Sequence, residues 1–214
     1  FTAPAAVTVF VDATCNANIL PSITGTVTSK TDNCSAPGTL SVTYTDGLPA
    51  AGACSGIYTV TRLWKVTDGE GNLATATQFI TIADNLKPTL SVPAAKTIEC
   101  GASTLPSNTG QATAVDNCGG LVSVTWSDTE VPGNCVGRKV KIITRIWTAT
   151  DCSGNTVSGS QTITVVDNTP PTIVCPGNFH VPTPKDIPHP NDVAVTATDL
   201  CGGSVVIDLI YESY

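Results

Sequence analysis

Apolar and polar residues alternate along KVKIITRIWTAT (139–150) and SQTITVV (160–166), and each run is bounded by Gly, Asn, Asp or Pro. A period of two marks a strand with one buried face, and no stretch shows the 3.6-residue stripe of a helix. Between 89 and 171 the pattern predicts five strands, at about 94–99, 110–115, 121–127, 138–149 and 159–166, with room for short extras. Trp64 and Trp147 fall on the most apolar of these runs and are the expected core anchors.

The pattern is written more than once. TRLWKVTDGEGN (61–72) returns as TRIWTATDCSGN (144–155), with Gly69 in one copy where Cys152 stands in the other. A shift of 81 to 85 residues aligns Cys15 with Cys100, TDNC (31–34) with VDNC (115–118), Cys54 with Cys135, and IADNLKPTL (82–90) with VVDNTPPTI (165–173). A third copy begins after Pro171 and stops early: ATDLCGGSVVIDLIYES (197–213) matches AVDNCGGLVSVTWSD (114–128), with Leu200 in place of Asn. A unit of about 83 residues is long enough to enclose its own small core, which favours tandem domains over a solenoid. The expected class is all-β, with tandem immunoglobulin-like β-sandwich repeats of about 83 residues, disulfide-bonded: repeat 1 over 1–88, repeat 2 over 89–171 and a partial repeat 3 over 172–214.

Composition narrows the partners. Ten Lys and Arg face 17 Asp and Glu, for a net charge of −7, and no basic cluster exists to grip nucleic acid or an anionic membrane surface. The 34 threonines suit pleated, half-buried surfaces. No apolar run reaches 18 residues, and the chain opens on Phe1, so a processed or excised piece with its targeting segment elsewhere is expected. Nine cysteines without a CxxC pair, and two histidines (His180, His189) set among prolines, favour disulfides in an oxidising compartment over zinc–thiolate sites. With no G-x-S-x-G elbow or metal-ligand spacing either, the chain reads as no enzyme.

Strand parity sorts the cysteines by end. If strands run alternately up and down, Cys100 and Cys135 lie at the upper end of repeat 2, and Cys118 and Cys152 at its lower end. Bonds across a strand length of about 30 Å are ruled out when Cα atoms must approach within roughly 7 Å. The expected pairs are therefore Cys100 with Cys135, Cys118 with Cys152, Cys15 with Cys54, and Cys175 with Cys201, leaving Cys34 without its expected partner.

The strings DNC, R-x-W-x-x-T-D-x-x-G-N and Q-x-I-T-[IV]-x-D-N-x-x-P together resemble the hyalin-repeat (HYR-like) domains found in tandem in giant surface adhesins of Bacteroidota, including gliding-motility adhesins. The resemblance covers both full repeats and the start of the third. It implies an immunoglobulin-like fold, an extracellular or bacterial cell-surface location, and a non-catalytic stalk or adhesive role. The implied partners are neighbouring repeats of the chain and a surface polysaccharide or other cell-surface ligand. The alternative is a carbohydrate-binding accessory module of a secreted enzyme, with Tyr44 and Trp126 as stacking platforms.

Parity also gathers acids at the junctions. Asp84 and Asn85 lie in the first linker, Asp46 at the upper end of repeat 1, and Asp116 and Asp151 at the lower end of repeat 2. The second junction collects Asp128, Asp167, Asn168 and Asp199. Converging hard oxygens are what calcium needs, and calcium is the one cofactor expected. The competing reading is plain turn chemistry, in which Asp and Asn hydrogen-bond their own backbone. Arg62 and Arg145, on the Trp strands, are expected to stack or to pair with a carboxylate.

Overall fold

The computed structural model describes residues 1–133, 138–175, 195–201 and 205–207. It is all-β, with 46% strand and 7% helix. The first strands are β1 (Val7–Phe10), β2 (Ser41–Asp46), β3 (Ala50–Ala51), β4 (Tyr58–Thr67) and β5 (Leu73–Ala83). They form one sheet in the order β1-β5-β4-β2, with β3 also on β4. β1 runs parallel to β5, whereas β2, β3 and β5 are antiparallel to β4.

The arrangement recurs in β6 (Thr89–Ser91), β7 (Lys96–Glu99), β8 (Thr113–Val115), β9 (Ser123–Pro132), β10 (Lys139–Thr150) and β11 (Thr156–Val166). Their sheet is ordered β7-β11-β10-β9, again with a parallel β7–β11 pair, and β6 pairs antiparallel with β8. β12 (Thr172–Val174) and β13 (Thr196–Thr198) repeat the β6–β8 pairing. The five strands expected between 89 and 171 are β7 to β11, and the parallel edge pair is what alternating strand direction requires.

Two one-turn helices, Pro21–Thr24 and Pro106–Thr109, interrupt the loops. Each starts at a proline, whose fixed φ suits the first helical position, and ends at a glycine with positive φ. Gly110 admits no side chain, since a Cβ would lie 2.8 Å from that of Pro93.

The described residues divide into two compact units. One holds Phe1–Val92, Ala112–Trp126 and Ile146–Gly159, and the other Pro93–Gln111, Ser127–Arg145 and the described part of Ser160–Tyr214. In the first, β4 and β5 alternate strictly, turning Val60, Trp64, Ile80 and Ile82 inward with Val11 and leaving Thr75 and Thr81 outward. In the second, Ile98, Ile143, Ile163 and Val165 form the corresponding cluster. Each buried aliphatic side chain contributes about 1.5–3 kcal/mol. Trp64 and Trp147 are both buried, as expected of core anchors.

Candidate functional site

Two junction acids are committed elsewhere. Arg62, 1% exposed, donates from Nε and Nη2 to both oxygens of Asp46 at 2.6 and 2.9 Å, and further to the Thr24 hydroxyl and the Ile19 carbonyl. Arg145 repeats the pattern with Asp128 at 2.8 Å twice, the Thr109 hydroxyl and the Thr104 carbonyl. A buried guanidinium needs acceptors for its whole donor fork, and β2 and β9 each place an aspartate opposite the arginine to supply two of them. Asp46 and Asp128 are thus partners of core arginines, not of the junction acids. Tyr44 packs on the same group: the guanidinium carbon lies 4.4 Å from its ring centroid and 5.8 Å from that of Trp64, and the two rings are 5.4 Å apart. With one face on Arg62, Tyr44 packs on that side and stays 39% exposed overall.

The six bonded cysteines sit at the ends that parity assigns, yet they pair across the junction. Cys15 bonds Cys118, Cys54 bonds Cys152 and Cys100 bonds Cys201, with Cα separations of 4.8, 5.7 and 5.7 Å. The expected Cys15–Cys54, Cys118–Cys152, Cys100–Cys135 and Cys175–Cys201 pairings are replaced. The short linker at 84–88 lays the upper-end loops of the first repeat against the lower-end turns of the next, so a facing cysteine is in reach. Cys175 and Cys34 are free and exposed, and Cys135 lies outside the described residues.

Three of the lower-end cysteines are each presented by an aspartate two residues before them. The Cys118 N–H donates to Asp116 at 2.9 Å, Cys201 to Asp199 at 2.8 Å and Cys34 to Asp32 at 2.9 Å. On the facing loop, Asp12 accepts from the Thr14 hydroxyl and from the Thr14 and Asn16 N–H groups, which holds its carboxyl below the usual range and fixes Cys15 at φ 60°. Gly56 lies against this bond at φ +76°, and any Cβ there would overlap the Cys15 sulfur. Asp12 and Gly56 were not singled out from the sequence, although D-x-x-C is the same turn signal as D-x-C.

Two acid clusters remain. Asp84, Asp116 and Cys118 have side-chain ligand atoms within 4.8 Å of one another, as do Asp167, Asp199 and Cys201. Both sulfurs are in disulfides, which leaves only oxygen ligands. In the first cluster Asp84 accepts from the Leu86 N–H, and Asp116 holds its turn through Oδ2. Asp116 Oδ1 and Asn117 Oδ1, however, are buried with no hydrogen-bond partner. Lys87 lines the same 410 Å³ pocket but forms no ion pair among the described residues. Asp151 stands apart, both its oxygens taken by Asn155, whose amide also donates to the Asp84 carbonyl at 3.2 Å. Asn85 is exposed.

The second cluster has its own cation. Arg138 lines one pocket with Asp167, Asn168 and Asp199, and it donates to Asn168 Oδ1 at 3.2 Å. Glu99 accepts from the Asn168 N–H, the Asn168 amide and the Thr169 hydroxyl, which holds its carboxyl below the usual range.

This is a disulfide-bonded all-β architecture whose cysteine-bearing turns carry oxygen clusters. Residues 88–165 match the HYR-like domain with 4 cysteines, so a HYR-like domain occupies that stretch. Hyalin of Strongylocentrotus purpuratus is 35% identical over 123 residues, 54% of this chain and 10% of hyalin. The chain thus spans about a tenth of that curated relative. Among solved structures, human protocadherin-24 EC1-2 aligns with a TM-score of 0.36 at 14% identity, over 77% of this chain and 96% of that one. Drosophila N-cadherin EC1-4 aligns with a TM-score of 0.38 at 11% identity, over 78% and 48%.

Proposed function

We propose that the chain is a non-catalytic, extracellular stalk or adhesive segment built of HYR-like domains at 1–88, 89–171 and 172–214, each stapled to the next by disulfides. Its setting is the surface of a bacterial cell or filament, as in the giant adhesins its motifs resemble, gliding adhesins included. The observation that carries the reading is the pair of bonds Cys15–Cys118 and Cys54–Cys152, which tie the loops of one repeat to the turns of the next. A segment that transmits load between a surface and its ligand gains from such staples, because they cap the length released when a domain unfolds.

Calcium is the proposed ligand of the first cluster, held by Asp84, Asp116 Oδ1 and Asn117 Oδ1. The Asp84 and Asp116 carboxylates lie close together, and the buried, unpaired Oδ1 atoms of Asp116 and Asn117 are costly without a partner, so an all-oxygen set suits a hard cation. With two disulfides across the same junction, calcium neutralises charge there rather than providing the only stiffener.

Single-molecule pulling from the two ends tests the stalk reading. With the three bonds intact, roughly 50 residues lie on the load path, so the unfolded chain should extend by about 150 Å, against about 700 Å when reduced. An oxidised extension near ~400 Å, the value for repeats that each close on themselves, would contradict it.

A further inference from the structure

We infer that the lower end of repeat 1 is a docking face for another HYR-like domain, closed by a disulfide from Cys34 to the strand-end loop of that domain. The inference rests on the reading of the chain as a run of stapled domains, and it assigns one of the two free thiols that this reading leaves over.

Three residues share one local structure. Cys34, Cys118 and Cys201 each follow Asp-x, and each has its N–H held by that aspartate at 2.8 to 2.9 Å. Cys118 is bonded to Cys15 and Cys201 to Cys100, in both cases a cysteine just beyond the first sheet strand of the preceding repeat. Cys34 is exposed and unbonded. The turn therefore presents a sulfur for capture, and two of its three copies have captured one.

A second set of groups points the same way. The hairpin turn Asp68–Asn72 copies the turn Asp151–Asn155: in both, the asparagine N–H and amide donate to the two aspartate oxygens, at 2.7 Å each in one and 2.8 and 2.9 Å in the other. Asn155 has a further acceptor, the Asp84 carbonyl of the preceding repeat's linker. For Asn72 no such acceptor exists among the described residues. The Ser35 hydroxyl donates to Glu70 at 3.2 Å, so the Cys34 turn and the Asp68–Asn72 turn lie side by side. Between them opens a cleft of about 170 Å³ lined by Asp32, Leu40, Asp68, Asn72 and Leu73, the last 57% exposed. The face thus offers a thiol and an amide donor, laid out as Cys118 and Asn155 are on the face that repeat 2 presents to repeat 1, with the exposed Leu73 beside them.

The occupant is a HYR-like domain with a cysteine after its first sheet strand and a linker carbonyl for Asn72. Gly69 stands where Cys152 makes the second staple, so this joint carries one disulfide only. The partner accordingly lacks a bonded cysteine at the position equivalent to Cys54. Forming the bond joins two sulfurs and releases two protons and two electrons. The electrons reduce a disulfide oxidant of the thiol–disulfide exchange class: the Cys34 thiolate attacks it, and the partner thiolate then displaces it as a dithiol.

Disulfide mapping of the complete native polypeptide, alkylated before unfolding, tests the inference. The expected result is a Cys34 peptide linked to a cysteine following the first sheet strand of another HYR-like domain, lost in Cys34→Ser. Alkylated Cys34, or Cys34 linked to Cys135, to Cys175, to a small thiol or to Cys34 of another molecule, would overturn it. The Cys15–Cys118 and Cys54–Cys152 peptides in the same digest report on the stalk reading separately. Their presence beside an alkylated Cys34 would reject the docking face alone.

Discussion

The turns at 116–118 and 199–201 start from nearly the same three residues, Asp-Asn-Cys and Asp-Leu-Cys, and both deliver a cysteine to the preceding repeat. They differ in how charge is settled. At the first, the Asn117 amide donates to the Asp12 carbonyl at 3.2 Å, and its Oδ1, like that of Asp116, is buried with no hydrogen-bond partner. At the second, Leu200 packs over Gly101 and contributes no oxygen, while Arg138 brings a guanidinium into the acidic pocket. One backbone device therefore makes the staple in both places, while the side chains around it bring different charges and oxygens. The staple belongs to the aspartate and the cysteine, and the proposed cation preference to the residue between them together with the nearby Arg138.

The largest expected effect is common to both turns. Replacing Cys15 and Cys118 by serine, or Cys100 and Cys201, should each cost about 2–5 kcal/mol in denaturant unfolding, because each bond closes a loop of about 100 residues. A loss at one turn and none at the other would break the claim that they are equivalent staples. Of similar size is the core arginine, which both repeats share: Arg145→Leu strands Asp128 and should cost about 3–5 kcal/mol, with Arg62→Leu close behind.

Calcium should then separate the two turns. At concentrations 10 to 100 times a Kd in the range of extracellular modules, it should stabilise the first cluster by about 1–3 kcal/mol. In melts with calcium or EDTA, Asp84→Ala should abolish the shift and Asp199→Ala should not. A shift that survives Asp84→Ala would reassign the ion, and no shift in the parent chain would mean that the orphaned oxygens take water. A smaller effect sharpens the comparison further. Leu200→Asn combined with Arg138→Ala should give the second cluster a calcium response of about 1 kcal/mol or less, and neither change alone should suffice.

The smallest effect is acidic. The Glu99 carboxyl sits below its ordinary 4.5 because the Asn168 N–H, then the Asn168 amide and Thr169, bind its charged form. A depressed carboxylate contributes stability in full above pH 4.5 and loses it as pH falls through the lower folded value. Glu99→Gln should therefore flatten the acid limb of the stability curve for the second unit and leave pH 7 melts almost unchanged. A variant equally acid-sensitive would show that Glu99 does not anchor the 167–169 turn.

Much of this was legible because strand periodicity is local. The alternation at 139–150 and 160–166 fixed β10 and β11 and turned Trp147 and Ile163 inward, and direction alone assigned the six bonded cysteines to ends that can meet. The partner was not legible, since strand parity cannot distinguish a loop at the same end of one repeat from the facing loop of the next. The aspartates divided for a related reason. Asp46 and Asp128 were grouped with the junction acids by end, whereas the strand register sets Asp46 opposite Arg62. The register was available from the alternation, in that a buried arginine on an inward face demands a carboxylate across the ladder. Asp12 was missed because its role depends on three hydrogen bonds within one loop, which leave no periodic trace.

Non-reducing peptide mapping of the oxidised chain bears most directly on the central claim that the disulfides join successive repeats. The expected cross-linked peptides are Cys15–Cys118, Cys54–Cys152 and Cys100–Cys201. Recovery of Cys15–Cys54 and Cys118–Cys152 instead would show that each repeat closes on itself, and would contradict the account.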